Sequence, residues 1–431
     1  MHLTSPSTPQ RRQSLITQDA PTSELAATGS FAALGVDDDL AEEMSRRGID
    51  APFPIQTLAI PDALTGRDIT GKAKTGSGKT IAFGIPIVQQ LKSADRTGPR
   101  ALVLGPTREL ANQVTEQLKW LGGVRGLRVT AVYGGASMGK QVDAFEKGVD
   151  VIVATPGRLI DLMERRVVNL GKIDVVTIDE ADQMADMGFL PQVRRIMRDV
   201  RDEHQTMLFS ATLDHQVSTL IRSYMSDPIG HEVASATETV DTMTHRFLKV
   251  HYMDKVRVTA SISRGVDRTL VFVRTKHSCD KVARELQAEG IQAQAIHGDL
   301  HQRKREQALG GFADGKTAVL VATNVAARGL HIEGVDIVLH FDPPEDPKMY
   351  LHRSGRTARA GEAGLVVTLV EWDQVNEVIR IQRQAGLNIP MIKMFSNDER
   401  LADLASWEPP EDQVPIRTGG RPLGRRRRRR L

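Results

Sequence analysis

Between residues 31 and 231 the chain alternates between two patterns. Short blocks that are apolar throughout give way to longer stretches in which apolar side chains return every three or four positions. The blocks ALVLG (101–105), RVTAVY (128–133), DVIVA (150–154), DVVTID (174–179) and TMLFS (206–210) predict strands. Segments such as RELANQVTEQLKWL predict amphipathic helices between them. Strands that do not alternate apolar with polar must be covered on both faces, so the expected fold class is α/β, a parallel sheet between two helical layers. The polar, Thr-rich stretch EVASATETVDTMT (232–244) breaks the pattern and reads as a linker. A second series follows: TLVFV (269–273), IQAQAI (291–296), AVLV (318–321), DIVLHF (336–341) and LVVTL (365–369), ending near Asn388. The expected organisation is a disordered segment over 1–30, a first domain over 31–233, a linker over 234–244, a second domain over 245–390, and a flexible tail over 391–431.

Charge changes this picture at one end. The chain has 431 residues with 57 Lys plus Arg, 54 Asp plus Glu, and a formal net charge of +3. Eight of those arginines lie in residues 414–431, a stretch with no acid; without them 49 bases face 54 acids and the net charge is −5. The body is mildly acidic and the basic character belongs to the tail. Such a tract repels itself, buries no core, and seeks polyanions, most simply nucleic acid. The single cysteine, Cys279, excludes an internal disulfide framework and fits a reducing, cytoplasmic setting. No apolar run approaches the ~20 residues that span a bilayer, and the Ser/Thr/Pro-rich start has no apolar block of a signal peptide. Aromatics are only 4%, so stacking platforms are not expected as the main device for holding nucleic acid.

Candidate chemistry gathers where the predicted strands end. Residues 73–80, AKTGSGKT, fit a phosphate loop if its first glycine is replaced by Ala73. Gly76 and Gly78 let backbone N–H groups turn toward an anion, and a helix opening at Lys79 adds its positive end. Lys79 reaches β and γ phosphates, and the Thr80 hydroxyl suits Mg²⁺. Asp179 and Glu180 close the strand of 174–179, where an Asp supplies the second Mg²⁺ partner and a Glu suits the attacking water. The second half has no phosphate loop but carries HRSGRTARAG (352–361). On a helix Arg356 and Arg359 share a face, and guanidinium groups from outside the loop domain stabilise a phosphoryl-transfer transition state. A site divided between two domains would close when ATP binds and reopen when the bridging phosphate leaves.

With these motifs in order, the chain resembles the DEAD-box ATP-dependent RNA helicases over about residues 31–388. The matching residues are Pro54-Ile55-Gln56, AKTGSGKT, Pro106-Thr107-Arg108-Glu109-Leu110-Ala111, Gly134-Gly135, Thr155-Pro156-Gly157-Arg158, Asp179-Glu180-Ala181-Asp182, Ser210-Ala211-Thr212, Ala326-Ala327-Arg328-Gly329 and HRSGRTARAG. The resemblance implies two tandem RecA-like domains and an enzyme that uses ATP and Mg²⁺ on RNA. It implies that Gln56 reads adenine with Phe31 nearby, and that Thr75, Gly76, Ser77, Gly78, Lys79, Thr80 and Asp179 bind nucleotide, with Thr80 and Asp179 at the metal. Lys79, Glu180, Arg356 and Arg359 would carry catalysis. Asp182, Ser210, Thr212 and Arg353 would couple nucleotide state to RNA. Arg108, Gly135, Thr155 and Arg158 would hold the RNA backbone from the first domain, and Arg274, Gly298, Arg305 and Thr323 from the second. Such contacts read backbone and 2′-OH without base identity.

The chain departs from the family at Ile49 (commonly aromatic), Phe53 (commonly Thr), Asn324 and His331 (commonly Asp), and Ala358 (commonly Gly). The resemblance implies local unwinding of short duplexes. An ATP-gated RNA clamp and an annealing chaperone driven by the arginine tail are the alternative readings, and a DNA helicase is the runner-up enzyme.

Overall fold

A computed structural model describes residues 29–74, 76–92, 98–233, 243–327, 332, 335–357 and 364–408. The expected N-terminal segment to residue 28, Thr75, most of the linker, His331, Ala358, Arg359 and the arginine tail lie outside the described residues.

Two parallel seven-stranded sheets form, as the unbroken apolar blocks require. The first contains β1 (Ile69–Lys72), β2 (Ala101–Leu104), β3 (Val129–Val132), β4 (Val151–Ala154), β5 (Val175–Ile178), β6 (Gln205–Ser210) and β7 (Ile229–Glu232). Their spatial order is β3-β4-β2-β5-β6-β1-β7. The second contains β8 (Met243–Lys249), β9 (Thr269–Val273), β10 (Ala293–Ile296), β11 (Val319–Thr323), β12 (Ile337–His340), β13 (Gly364–Val370) and β14 (Met391–Lys393), ordered β10-β11-β9-β12-β13-β8-β14. The two orders are the same when each strand of the first sheet is replaced by its counterpart in the second, so β1 corresponds to β8, β5 to β12 and β6 to β13.

Register shows why the strands are apolar throughout. Val103 lies between Val153 and Thr177, and Leu102 between Ile152 and Val176. Successive side chains point to opposite faces, and each face is buried in its own core: Val103 and Val153 pack on one side, Leu102, Ile152 and Val176 on the other.

The second domain is larger than expected at both ends. β8 begins at Met243, inside the expected linker, and β14 falls inside the expected tail. Ile392, Met394, Leu401 and Leu404 join the core that holds Leu248 and Val250, so residues 391–408 fold with the domain. Three residues of edge strand carry too little periodicity to be read against the polar surroundings. Cys279 is buried, and burial pushes its thiol up to about 12, far from reactivity at neutral pH. Among the described residues no helix is long and apolar enough to cross a membrane.

Candidate ATP and RNA site

β1 leads toward the helix Lys79–Leu91, with Gly76, Ser77 and Gly78 directly before it. Gly76 (φ 83°) and Gly78 (φ 85°) are left-handed, the conformation a nest of inward N–H groups needs. A Cβ at Gly78 would also run into Gln56 Nε2 and the Phe53 ring. Gln56 is fully buried: its Nε2 donates to Gly78 O at 2.9 Å, and its Oε1 accepts from Phe53 N at 2.8 Å. The expected base-reading residue is thus tied to the phosphate loop itself. Phe31 is buried in the first core, whereas Phe53 presents an exposed ring beside the loop.

Lys79 and Glu180 form a buried ion pair, Nζ to Oε1 2.8 Å. Burial works against charge on Lys79, but Glu180 and Asp179 outweigh it and hold the ammonium above its ordinary pKa. Gln183 Nε2 donates to Glu180 Oε2 at 2.9 Å, and Asp179 Oδ1 accepts from Glu180 N at 2.9 Å. Glu180 itself is left-handed (φ 51°, ψ 49°), a conformation that costs a side-chain-bearing residue on the order of 1 kcal/mol or more. That strain turns its carboxylate from the end of β5 toward Lys79. Thr80, half-buried, follows on the first turn. No cluster of three or more His, Cys, Asp or Glu able to hold a metal unaided occurs among the described residues. One carboxylate (Asp179) and one hydroxyl (Thr80) beside a phosphate cradle are instead the sparse donor set that suits Mg²⁺ shared with a nucleotide.

Asp182, Ser210 and Thr212 form one web. Asp182 Oδ2 accepts from Thr212 N (3.0 Å) and Thr212 Oγ1 (3.1 Å). Ser210 Oγ accepts from Asp182 N (3.1 Å) and donates to Thr212 O (2.7 Å). The segment after β6 is thereby locked to the helix Ala181–Asp186 that begins beside Glu180.

The residues expected on RNA lie at neighbouring strand ends. Arg108, Gly135 and Thr155 follow β2, β3 and β4. The Arg108 guanidinium rests against Gly135, whose φ of 82° keeps a side chain out, and Arg158 Nη1 donates to Ala136 O at 3.3 Å. In the second domain Arg274, Gly298 and Thr323 hold the corresponding positions at the ends of β9, β10 and β11.

Three of the expected site arginines are placed as follows. Arg305 is buried and bonds Glu109 of the first domain (Nε to Oε1 2.8 Å) rather than facing an open groove. Arg353 is also buried: it donates to Asn324 Oδ1 (2.7 Å) and Asp342 O (3.0 Å) and lies 5.1 Å from the Phe272 ring centroid, inside the second domain. Arg356 is not on a helix. The helix Pro347–Ser354 stops at Gly355, and Thr357 is drawn away by a bridge to Val335. Arg356 thus lies past the helix end, and Arg359, its expected helical neighbour, is outside the described residues.

Among the described residues, two basic side chains pair with acids across the domains, contacts that the motifs did not announce. One is Arg305 with Glu109. The other is Lys348, which reaches Asp186 (3.1 Å) and Asp214 (3.3 Å). Asp186 ends the helix that starts after Glu180, and Asp214 caps the helix that follows Thr212. Partial burial disfavours charge on Lys348, but the two carboxylates raise its pKa, and backbone N–H groups with Lys348 lower that of Asp214 against its own burial.

The second domain also holds a buried lysine in a familiar place. Lys255 opens the helix after β8 and pairs with Asp342 (3.3 Å) and Glu371 (2.9 Å).

Comparison with known proteins agrees with this geometry. Residues 53–220 match the model of the DEAD/DEAH box helicase family, and residues 249–361 that of the helicase conserved C-terminal domain. The DEAD-box ATP-dependent RNA helicase CshA of Geobacillus kaustophilus is 39% identical over 374 residues, 86% of this chain and 80% of the relative. Among solved structures, S. cerevisiae Dbp5 bound to RNA and ADP BeF3 aligns with 86% of this chain and 96% of its own at 30% identity and a TM-score of 0.72. Mss116p bound to ssRNA and AMP-PNP aligns with 89% of this chain and 82% of its own at 25% identity and a TM-score of 0.78.

Proposed function

The chain belongs to the DEAD-box ATP-dependent RNA helicases, and from that premise we propose how this molecule works: ATP closes its two domains across RNA, closure separates a short duplex locally, and hydrolysis to ADP and phosphate lets the RNA go. The observation that carries this reading is the route of the domain contacts. Lys348 ties the helix leading to Arg356 to both the Glu180 helix and the Thr212 helix, so closing the domains and ordering the ATP motifs are one event. The solved relatives that align over both domains hold RNA together with a nucleotide.

In the closed form each side chain has a task. The N–H groups around Gly76 and Gly78 hold the phosphates, and Lys79 exchanges part of its contact with Glu180 for phosphate oxygen. Glu180, relieved of that cation, orients the attacking water and accepts its proton. Thr80 and Asp179 would hold Mg²⁺, which neutralises charge on the phosphates. Arg356 approaches from the second domain to stabilise charge in the transition state; Arg359 is assigned the same role by its motif. Gln56 reads the base and, through Gly78, reports it to the loop. Arg108, Gly135, Thr155 and Arg158 hold one part of the RNA backbone, and Arg274, Gly298 and Thr323 the next. Arg305 acts as a closure contact, and the arginine tail is an accessory, ungated anchor for RNA.

The test is ATP turnover with RNA, with DNA and with neither, alongside separation of a short RNA duplex. RNA should stimulate turnover and ATP should drive strand separation. Stimulated turnover without separation would replace unwinding by clamping, and equal stimulation by DNA would remove the RNA assignment.

A further inference from the structure

Aromatic residues are scarce in this chain, yet exposed ones are not scattered. Among the described residues, eight large apolar side chains are exposed; two of them, Trp372 (55%) and Phe395 (50%), share the Lys393 ammonium, and Tyr252 (65%) and Met253 (71%) lie in the turn after β8. They sit where β8, β13 and β14 end. Register puts Lys249 beside both Val370 and Lys393, so Lys249, Lys393 and, two residues beyond each strand end, Trp372 and Phe395 share one face. Lys249 Nζ lies 4.7 Å and Lys393 Nζ 5.8 Å from the Trp372 ring, and Lys393 Nζ lies 4.9 Å from the Phe395 ring. The Trp372 ring thus lies near two ammonium groups.

The patch adjoins the end of the sheet that carries Arg274. Arg274 N donates to Asp342 Oδ2 (2.7 Å), Asp342 pairs with Lys255, and Lys255 pairs with Glu371, the neighbour of Trp372. The acids along this route are thus engaged: Asp342 and Glu371 with Lys255, and Asp254 with Ser396 N at 2.8 Å. Glu345 lies 3.6 Å from the Arg274 guanidinium, and Asp373 stands beside Trp372 in the sequence. Protein–protein interface cores are depleted in lysine, whereas single-strand platforms combine rings for the bases with cations for the phosphates.

We propose that this corner of the second domain is a platform for single-stranded RNA. Bases stack on Trp372, Phe395 and Tyr252, Lys249 and Lys393 meet the phosphates, and the strand continues from Arg274. The platform lengthens the RNA footprint beyond the ATP-gated contacts and is sequence-tolerant, because every base has a face to stack.

The inference rests on the RNA reading above, and the experiment separates the two. Full-length protein is titrated with oligouridylates of about 6 and about 12 nucleotides, spanning the usual range of single-strand sites. The double substitution Trp372→Ala and Phe395→Ala should weaken the longer RNA on the order of tenfold, leave the shorter one within about twofold, and leave RNA-saturated ATP turnover unchanged. Trp372→Tyr should keep most of the affinity. A lone 4-thiouridine walked along the longer strand should crosslink to Tyr252 or Trp372 in the wild type. Because both substituted side chains are exposed, unchanged thermal unfolding checks that the variant is folded. If RNA stimulates turnover but the double variant binds both lengths as the wild type does and no such crosslink forms, the platform is wrong and the patch belongs to a protein partner. If RNA does not stimulate turnover at all, the function itself falls, and the platform with it.

Discussion

Lys79 and Lys255 occupy the same place in two like domains. Each opens the helix that follows a corresponding strand, β1 or β8, and each pairs with a carboxylate two residues past the end of β5 or β12, Glu180 or Asp342. Only one of these places can take a phosphate. Before Lys79 the backbone turns twice into the left-handed region at Gly76 and Gly78. Before Lys255 the sequence is Val250-His251-Tyr252-Met253-Asp254, with no glycine and no positive φ. Several of its N–H groups are already used, Val250 on Val370 O and Asp254 on His251 O. Lys255 also has a second carboxylate, Glu371, which satisfies it internally. The sheet therefore supplies a lysine and a carboxylate at a strand end, and the glycine loop decides whether a nucleotide fits between them.

The sharpest way to break this comparison is to make one change in both places. Lys79→Ala should reduce RNA-stimulated turnover at least ~10²–10³-fold, the usual effect of losing a charge-stabilising donor at a reacting phosphate or carbonyl. Lys255→Ala should leave saturated turnover within a few-fold and instead lower stability. Its two carboxylates are partly exposed, so the loss is about 2 kcal/mol rather than the full cost of breaking a buried pair. Denaturant unfolding and steady-state turnover of both variants check this. Loss of turnover in a fully stable Lys255→Ala protein would mean the second domain shares in the chemistry.

A smaller effect is expected where the domains meet. Lys348 is about one-third exposed, as is Asp214, so each of its pairs contributes about 0.5–1 kcal/mol. Lys348→Glu sets three acids together and should raise the KM for ATP at fixed RNA by roughly tenfold, with kcat nearly kept. Adding Asp186→Lys to that variant should recover much of the loss. Equal damage to kcat, without recovery, would make Lys348 a structural residue of its own domain and weaken the claim that closure runs through the motifs.

How much of this was legible depended on sequence distance. ALVLG, DVIVA and TLVFV declare themselves because strands buried on both faces must be apolar throughout. IGHE of β7 and MIK of β14 do not, since short edge strands with mixed polarity look like loops. The phosphate loop and the Asp179–Asp182 run were readable because glycine, lysine and acids occur there in a fixed local grammar. Glu109 with Arg305 (196 residues apart) and Lys348 with Asp186 and Asp214 (162 and 134 apart) were not, because no local pattern encodes a contact made only when two domains meet. Arg356 was misplaced onto a helix for a related reason: the bridge of Thr357 to Val335 is a tertiary contact. The aromatic corner was hidden by the average, since 4% aromatics says nothing of where they gather.

The central claim is that the first domain hydrolyses ATP while the second answers by closing and opening on RNA. It is tested most directly by the lifetime of an RNA complex formed with ATP by the Glu180→Gln protein. Losing the carboxylate that takes the water's proton should cut turnover by about 10²–10⁴-fold while ATP still closes the domains. The complex should therefore outlast that of the wild type at least tenfold, and RNA binding should still require ATP. Release as fast as wild type, or hydrolysis at the wild-type rate, would contradict the account.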